Sequence, residues 1–272
     1  GGRSFAWTSP TELATLVGAV LAWIAFAIAE RRAVEPILLF SALRERAVAC
    51  SVVCYALGGW VMLGSITYVP LFVQTVVGTS ATRSGLVLWP QFLGTSIASF
   101  AVGRFMFRSG RLRPMALLGP FVLFAGVLML LRMNAGVTSG QVARDTILSG
   151  IGWGLMAQVF IVSVQNAVPR SLITSATALM VFSRSMGAAL GVAAMGALVN
   201  HGLPPGIRLD SQELGRGGRS PVATRELLAH AITPAFLLTA CAAALVLPIA
   251  AYGVRNVVHA KDEAASVAVE AA

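Results

Sequence analysis

Apolar residues run together along this chain in long blocks, separated by short clusters of charge or by glycine, proline and serine. A helix that crosses a hydrocarbon core of roughly 30 Å needs about 20 mostly apolar residues. That ruler predicts seven spans, at about Thr11 to Ala29, Ala47 to Phe72, Arg83 to Phe107, Pro114 to Met133, Asp145 to Ala167, Leu172 to Val199 and Ala231 to Val254. Ser9-Pro10 opens the first and Glu30-Arg31-Arg32 closes it. Membrane strands alternate apolar and polar positions over about ten residues. The unbroken run from Met115 to Leu131 has no such alternation. The predicted class is therefore an all-α integral membrane protein.

Composition supports the pattern and removes the soluble classes. Of 272 residues, 57% are hydrophobic and only 11% charged, whereas a soluble domain carries roughly a quarter charged residues. A mean hydropathy of +0.79 exceeds what a soluble interior can hide and excludes disorder. The 27 Gly follow no three-residue period, and 3 Cys cannot build a disulfide scaffold. A net charge of +9 would fit nucleic acid only if the basic residues formed one patch. They lie instead in scattered clusters between apolar runs, so no nucleic-acid partner is expected.

Those clusters predict orientation, because short cytoplasmic loops collect Lys and Arg. Arg31, Arg32, Arg44 and Arg46, then Arg104, Arg108, Arg111 and Arg113, then Arg170, and finally Arg255 and Lys261, fall on alternate connections. The opposite short connections hold only Arg83, Arg132 and Arg144, and the long segment 200–230 holds four more. The first side is predicted to be cytoplasmic, with the C-terminus on it. The chain begins Gly1-Gly2 outside, with an odd number of spans, which leads to the expectation that it is the C-terminal portion of a longer protein.

Arg184 is the one basic residue predicted to lie deep within a span. An Arg there costs at least about 2.5–3.5 kcal/mol and normally faces a water-filled cavity or a partner. It reads either as a cavity-facing cation or as a side chain snorkelling to the headgroups. Ser183, Gly187 and Gly191 repeat every four residues, a spacing that lets two helices approach closely. Gly150, Gly152 and Gly154 are expected to thin the fifth span, and Pro90 and Pro120 to kink theirs. Polar and aromatic residues deep in spans, Tyr55, Trp60, Thr67, Gln91, Ser96 and Gln158, join Arg184 as candidate cavity lining, with helix packing as the alternative for each. An apolar, aromatic pocket with few polar anchors suits amphipathic ligands and organic cations. Trp89 and Trp153 are expected at the headgroups.

Enzyme signatures are missing from the pattern. His201, His230 and His259 lie outside the spans, Cys50 and Cys54 sit in apolar surroundings, and Gly215-Arg-Gly-Gly218 lacks the Lys-Ser/Thr of a phosphate loop. No metal site and no cofactor are expected. A membrane-embedded enzyme and a structural or regulatory subunit remain the competing classes. The acids sit in loops, in the tail or, as Glu12 and Asp145, at the outer ends of spans, and none is expected in mid-membrane.

Several segments resemble one family in order and spacing. They are Trp7-Thr-Ser-Pro10, Glu30-Arg31-Arg32-Ala33-Val-Glu35-Pro36, Tyr68-Val-Pro70 through Gly78, Ser84-Gly-Leu-Val-Leu-Trp-Pro90, Gln165-Asn-Ala-Val-Pro169, and Ala176-Thr-Ala178 through Gly191. Together they resemble the fourteen-span drug/proton antiporters of the major facilitator superfamily, the QacA/EmrB type, over residues 1 to about 255. The resemblance implies an extra linker helix and its connection in 1–46, the C-terminal six-helix bundle in 47–255 and a cytoplasmic tail in 256–272. It further implies proton-coupled efflux of amphipathic or cationic drugs at the cell inner (plasma) membrane, the small-molecule substrate, the proton and the bilayer being the partners. A missing N-terminal half would then carry the proton site, with Asp145 the only local alternative and Arg184 helping to organise substrate or proton coupling, and this chain alone would not transport.

Gly103-Arg-Phe-Met-Phe107-Arg108-Ser-Gly110-Arg111-Leu-Arg113 resembles the second copy of the superfamily's cytoplasmic loop motif, roughly Gly-x-x-x-Asp-Arg-x-Gly-Arg-x-Arg. Phe107 stands where the motif has its acid. Gly103, Arg108, Gly110, Arg111 and Arg113 are thus candidates for a conformational gating loop, with a plain topology signal as the alternative.

Overall fold

The chain's structure, a computed structural model, describes residues 10–32, 40–109, 112–134, 136–202 and 222–270. Gly110 and Arg111 of the candidate gating loop lie outside the described residues, as do Trp7-Thr-Ser9, Ala33 to Pro36 and the segment 203–221. All regular structure among the described residues is helical. The α-helices are α1 (Pro10–Arg32), α2 (Arg46–Phe72), α3 (Ala81–Leu86), α4 (Trp89–Ser109), α5 (Arg113–Leu130), α6 (Ser139–Ala167), α7 (Ile173–Gly202) and α8 (Val222–Glu270). Six stretches are long and apolar enough to cross a membrane: Arg46–Val77, Ala81–Ser109, Arg113–Leu130, Ser139–Ala167, Arg170–Gly202 and Ala229–Gly253. Within α1 the apolar stretch is Leu13–Phe26.

Helix ends depart from the hydropathy ruler where polar residues do the work. Helix α6 starts six residues before Asp145 because Thr138 caps it. The Thr138 side chain accepts from the Gln141 amide, and the Gln141 side chain accepts from the Thr138 amide at 2.9 Å. This reciprocal box satisfies two otherwise orphaned donors. Pro70 lies inside α2, and one π-helical turn, Val73–Val77, follows it. Gly78 ends that turn at φ 76°, a left-handed conformation suited to glycine. Pro90 acts by interruption rather than by a kink. It has no N–H to give the Leu86 carbonyl, and tight three-residue turns at Val87 and Leu88 separate α3 from α4. Helix α8 continues beyond the expected span through Glu270, with Pro234 and Pro248 inside it.

Helix α6 is the centre of the bundle, packed between α4 and α5 and against α2. Its alternating glycines explain how. Positions two apart on a helix point about 200° apart, so Gly150 and Gly154 bare the backbone toward α4 while Gly152 bares it toward Leu123 of α5. Across the first seam the Thr95 hydroxyl donates to the Gly150 carbonyl at 3.0 Å, and the Ser99 hydroxyl to Gly154 at 3.2 Å. Helix α5 answers with Gly119 against the Met156 backbone and Gly126 against Ser149. Helix α2 packs on α7 and α8, and the Cys54 thiol donates to the Val246 carbonyl at 3.7 Å.

Arg46 and Tyr252 tie the start of α2 to α8, guanidinium to hydroxyl at 3.0 Å. The order of contacts makes α5 antiparallel to α6 and α2 to α8, but α4 parallel to α6 and α2 to α7, so the spans alternate in direction along the chain. Arg44, Arg46, Arg104, Arg108, Arg113 and Arg170 gather at one end of the bundle, and Arg83, Arg132 and Arg144 at the other. Helix α1 meets the bundle through aromatic rings, Trp23 and Phe26 each about 6 Å from Phe182 of α7.

Candidate functional site

The seam between α2 and α7 holds the sharpest chemistry. Gly187 faces Ala56 and Gly191 faces Trp60, with Ser183 buried one turn before them. Without side chains at those glycines the two helices cross in backbone contact. Gly59 completes the crossing from α2: a Cβ there would lie 2.8 Å from Cγ of Arg184. The methylene stem of Arg184 thus lies over a bare stretch of α2.

Arg184 is 11 residues after Ile173 (184 − 173) in a 30-residue helix. At 1.5 Å per residue that is about 16 Å from one end and about 5 Å from the helix midpoint. The side chain is exposed and carries no hydrogen bond or ion pair among the described residues. Tyr55 lies one turn before Gly59 on α2, the position that Arg184 crosses. Tyr55 itself is buried and stacks on Trp153 of α6, ring centroids 5.3 Å apart and planes 28° from parallel. Its hydroxyl likewise makes no hydrogen bond among the described residues. Trp153 was expected at the headgroups. It lies instead in the middle of α6, 5% exposed, because Gly58 of α2 leaves room for its ring.

The other candidate lining residues do not gather around Arg184. Trp60 covers Gly191, and its buried indole nitrogen has no partner among the described residues. Gln91, on α4, is 1% exposed against α2 and α6, its amide nitrogen 3.9 Å from the Met62 sulfur and its oxygen unpaired among the described residues. Thr67 is exposed on α2, and Ser96, also exposed, donates to the Phe92 carbonyl of its own helix at 2.9 Å. Gln158 lines a separate cavity of about 360 Å³ at the basic end of the bundle, with Gly103, Met106, Phe107, Leu112, Val162 and Asn166.

That cavity joins two readings the sequence kept apart, since Gly103 belongs to the candidate gating loop and Gln158 to the candidate lining. Asn166 had not been singled out, although Gln165-Asn166 is an unusual polar pair at the end of an apolar run. Phe107 is 93% exposed, and Arg108 and Arg113 are exposed beside it. No acid pairs with these arginines among the described residues. The ion pair the described residues do contain is Arg144–Asp145 at 3.0 Å, at the opposite end, with Asp145 buried and Arg144 exposed. No group of three His, Cys, Asp or Glu side chains comes together among the described residues.

Comparison with known proteins adds a family. A model described as Major Facilitator Superfamily matches residues 4–192. The Multidrug transporter protein MdtP of Bacillus subtilis (strain 168) is 28% identical over 200 residues, 74% of this chain and 37% of that protein. An uncharacterized MFS-type transporter of Mycobacterium tuberculosis is 33% identical over 198 residues, 73% of this chain and 29% of that protein. A Tetracycline resistance determinant of Streptomyces rimosus is 29% identical over 196 residues, 71% of this chain and 56% of that protein. The chain thus spans between about a third and a half of the length of these relatives.

Proposed function

The chain belongs to the Major Facilitator Superfamily, a family of transporters and not of enzymes, and from that premise we propose that it is the C-terminal part of a secondary active transporter that exports amphipathic small molecules in exchange for protons. The observation that carries this reading is a six-helix membrane bundle with a guanidinium near mid-helix, unpaired among the described residues and crossing α2 one turn from the Tyr55–Trp153 ring pair. A charge is tolerated at that depth where it meets a cavity or a partner. The relatives named for multidrug transport and tetracycline resistance support export. They are two to three times as long as the stretch they share with this chain, which supports a second bundle elsewhere in the complete protein.

Alternating access needs two bundles rocking about a midplane site, so this chain supplies one wall of the pathway and the rest of the protein the other. The extra helix α1 fits the fourteen-span drug/proton antiporter type. Asp145 lies near a helix end and is already paired with Arg144, which supports a coupling carboxylate in the remainder of the protein. The arginines at one end of the bundle support a cytoplasmic assignment of that end in the inner (plasma) membrane, with the C-terminus there. Arg108, Arg111 and Arg113 steady one state of the cycle by binding helix-end carbonyls or acids across the gap between bundles.

The test is proton-driven dye efflux from everted vesicles carrying the complete transporter, compared with vesicles carrying this chain alone. Efflux is expected from the first and not from the second. Efflux by the 272-residue chain alone would refute the assignment to one half of a pathway. Thiol labelling of a cysteine placed in the segment 203–221 is expected from outside the cell only, and labelling from the cytoplasm would reverse the orientation.

A further inference from the structure

The unpaired charge on α7 bears on what the transporter carries. Arg184 and Phe182 are two residues apart, about 200° around the helix. Phe182 meets the rings of α1, so Arg184 points away from α1 and out over Gly59 of α2. Among the described residues of the six spans, every other charged side chain lies near a helix end, and the single acid, Asp145, is already paired. Nothing described in the chain neutralises Arg184. Tyr55, one turn before Gly59 on α2 and fixed by its stack on Trp153, adds a hydroxyl with no hydrogen bond among the described residues.

A guanidinium presents a planar fork of N–H donors that matches a carboxylate in two parallel hydrogen bonds. The same charge repels an organic cation, and does so more strongly out of water. Aromatic rings attract cations, but here the ring pair lies beside a fixed positive charge. We propose that Arg184, with Tyr55, forms the recognition point for an acidic group on the substrate, so that the transporter carries amphipathic anions and zwitterions in preference to simple organic cations. This rests on the export reading above and narrows its substrate class. The carboxylate comes from the substrate rather than from another segment of the protein, and the experiment separates these two sources.

The probes are a rhodamine with a free carboxylate and the methyl ester of the same rhodamine, which differ only in the acid. Proton-driven efflux of each is measured in everted vesicles carrying the complete transporter, as wild type, R184A and R184K, with membrane levels checked by immunoblot. For R184A, kcat/KM for the acid is expected to fall at least about tenfold, the scale for leaving a charged group without its fork, and that for the cationic ester to hold or rise. R184K keeps the charge but not the fork, so its KM for the acid is expected to rise while that for the ester holds. Should R184A fail to reach the membrane, the R184K comparison decides by itself. Equal loss of both dyes would make Arg184 the partner of a protein carboxylate and overturn the proposal, as would no loss of either. Failure of the wild type to move either dye would instead refute the export reading, and the substrate assignment with it.

Discussion

Replacing Gly119 by Ala tests the claim that bare backbone holds α5 on α6. An added Cβ at Gly119 would lie 2.7 Å from the Met156 nitrogen, 2.9 Å from its Cα and 3.1 Å from its Cβ. Ordinary contact between such atoms is about 3.5–4.0 Å, so the helices must part by close to an ångström. Two of the three obstructing atoms are backbone, which no rotamer change can move aside. The displacement spreads along the seam, since Gly126 on the same face sits 2.6 Å from Cα of Ser149 by the same measure. Against this, alanine gains up to about 1 kcal/mol of helix propensity over glycine. Overpacking costs typically about 1–3 kcal/mol and should win because two contacts along the seam are strained together. The expected net loss is about 1–2 kcal/mol, a fall in Tm of about 2–8 °C for a domain of this size. Thermal unfolding of the purified protein in detergent, followed by reactivity of the buried Cys54 thiol, reads it directly. Gly18→Ala is the control, because nothing lies within 4 Å of a Cβ there. A Tm for Gly119→Ala equal to or above that of wild type would refute backbone contact as the basis of this seam.

Three further outcomes follow from side-chain replacements. Gln91→Met keeps volume and removes a buried oxygen that has no partner, so stability is expected to hold or rise by about 1–2 kcal/mol; a fall in Tm would mean that Gln91 is satisfied in a way the packing does not reveal. Thr138→Ala removes the capping box of α6 and is expected to cost about 1 kcal/mol, seen as a lower Tm, while an unchanged Tm would show that packing alone sets that helix start. Replacing Arg108, Arg111 and Arg113 together by Gln is expected to slow efflux by the complete transporter with membrane levels intact, and undiminished efflux would leave them as topology signals only.

Much of the architecture is legible in one dimension because a bilayer imposes a length and a polarity on each crossing. The all-α class followed from that constraint, and the apolar blocks correspond to the six membrane-length helices and to α1. Boundaries slipped where hydropathy was used as the only ruler. Helix α6 begins at a Thr-x-x-Gln box that a ruler of apolar residues passes over, and Pro90 breaks a continuous apolar block into α3 and α4.

Which face of each helix looks where is a different matter. In water an apolar stripe marks the buried face, but lipid and protein interior are both apolar, so these spans read apolar all round. Hydropathy could therefore not tell buried Gln91 from exposed Ser96, both polar residues in one span, or move Trp153 from the headgroups to the centre of α6. Small residues carry some of the missing information, since every-fourth spacing in Ser183, Gly187 and Gly191 marks a close approach without naming the partner helix. The sequence by itself determined a helical membrane protein, connections that alternate in their Arg content and an Arg well inside an apolar block. Only the tertiary structure decided that Arg184 crosses α2 at Gly59, one turn from Tyr55, with no anion to meet it among the described residues, because that depends on contacts between residues more than a hundred positions apart, which no local pattern encodes.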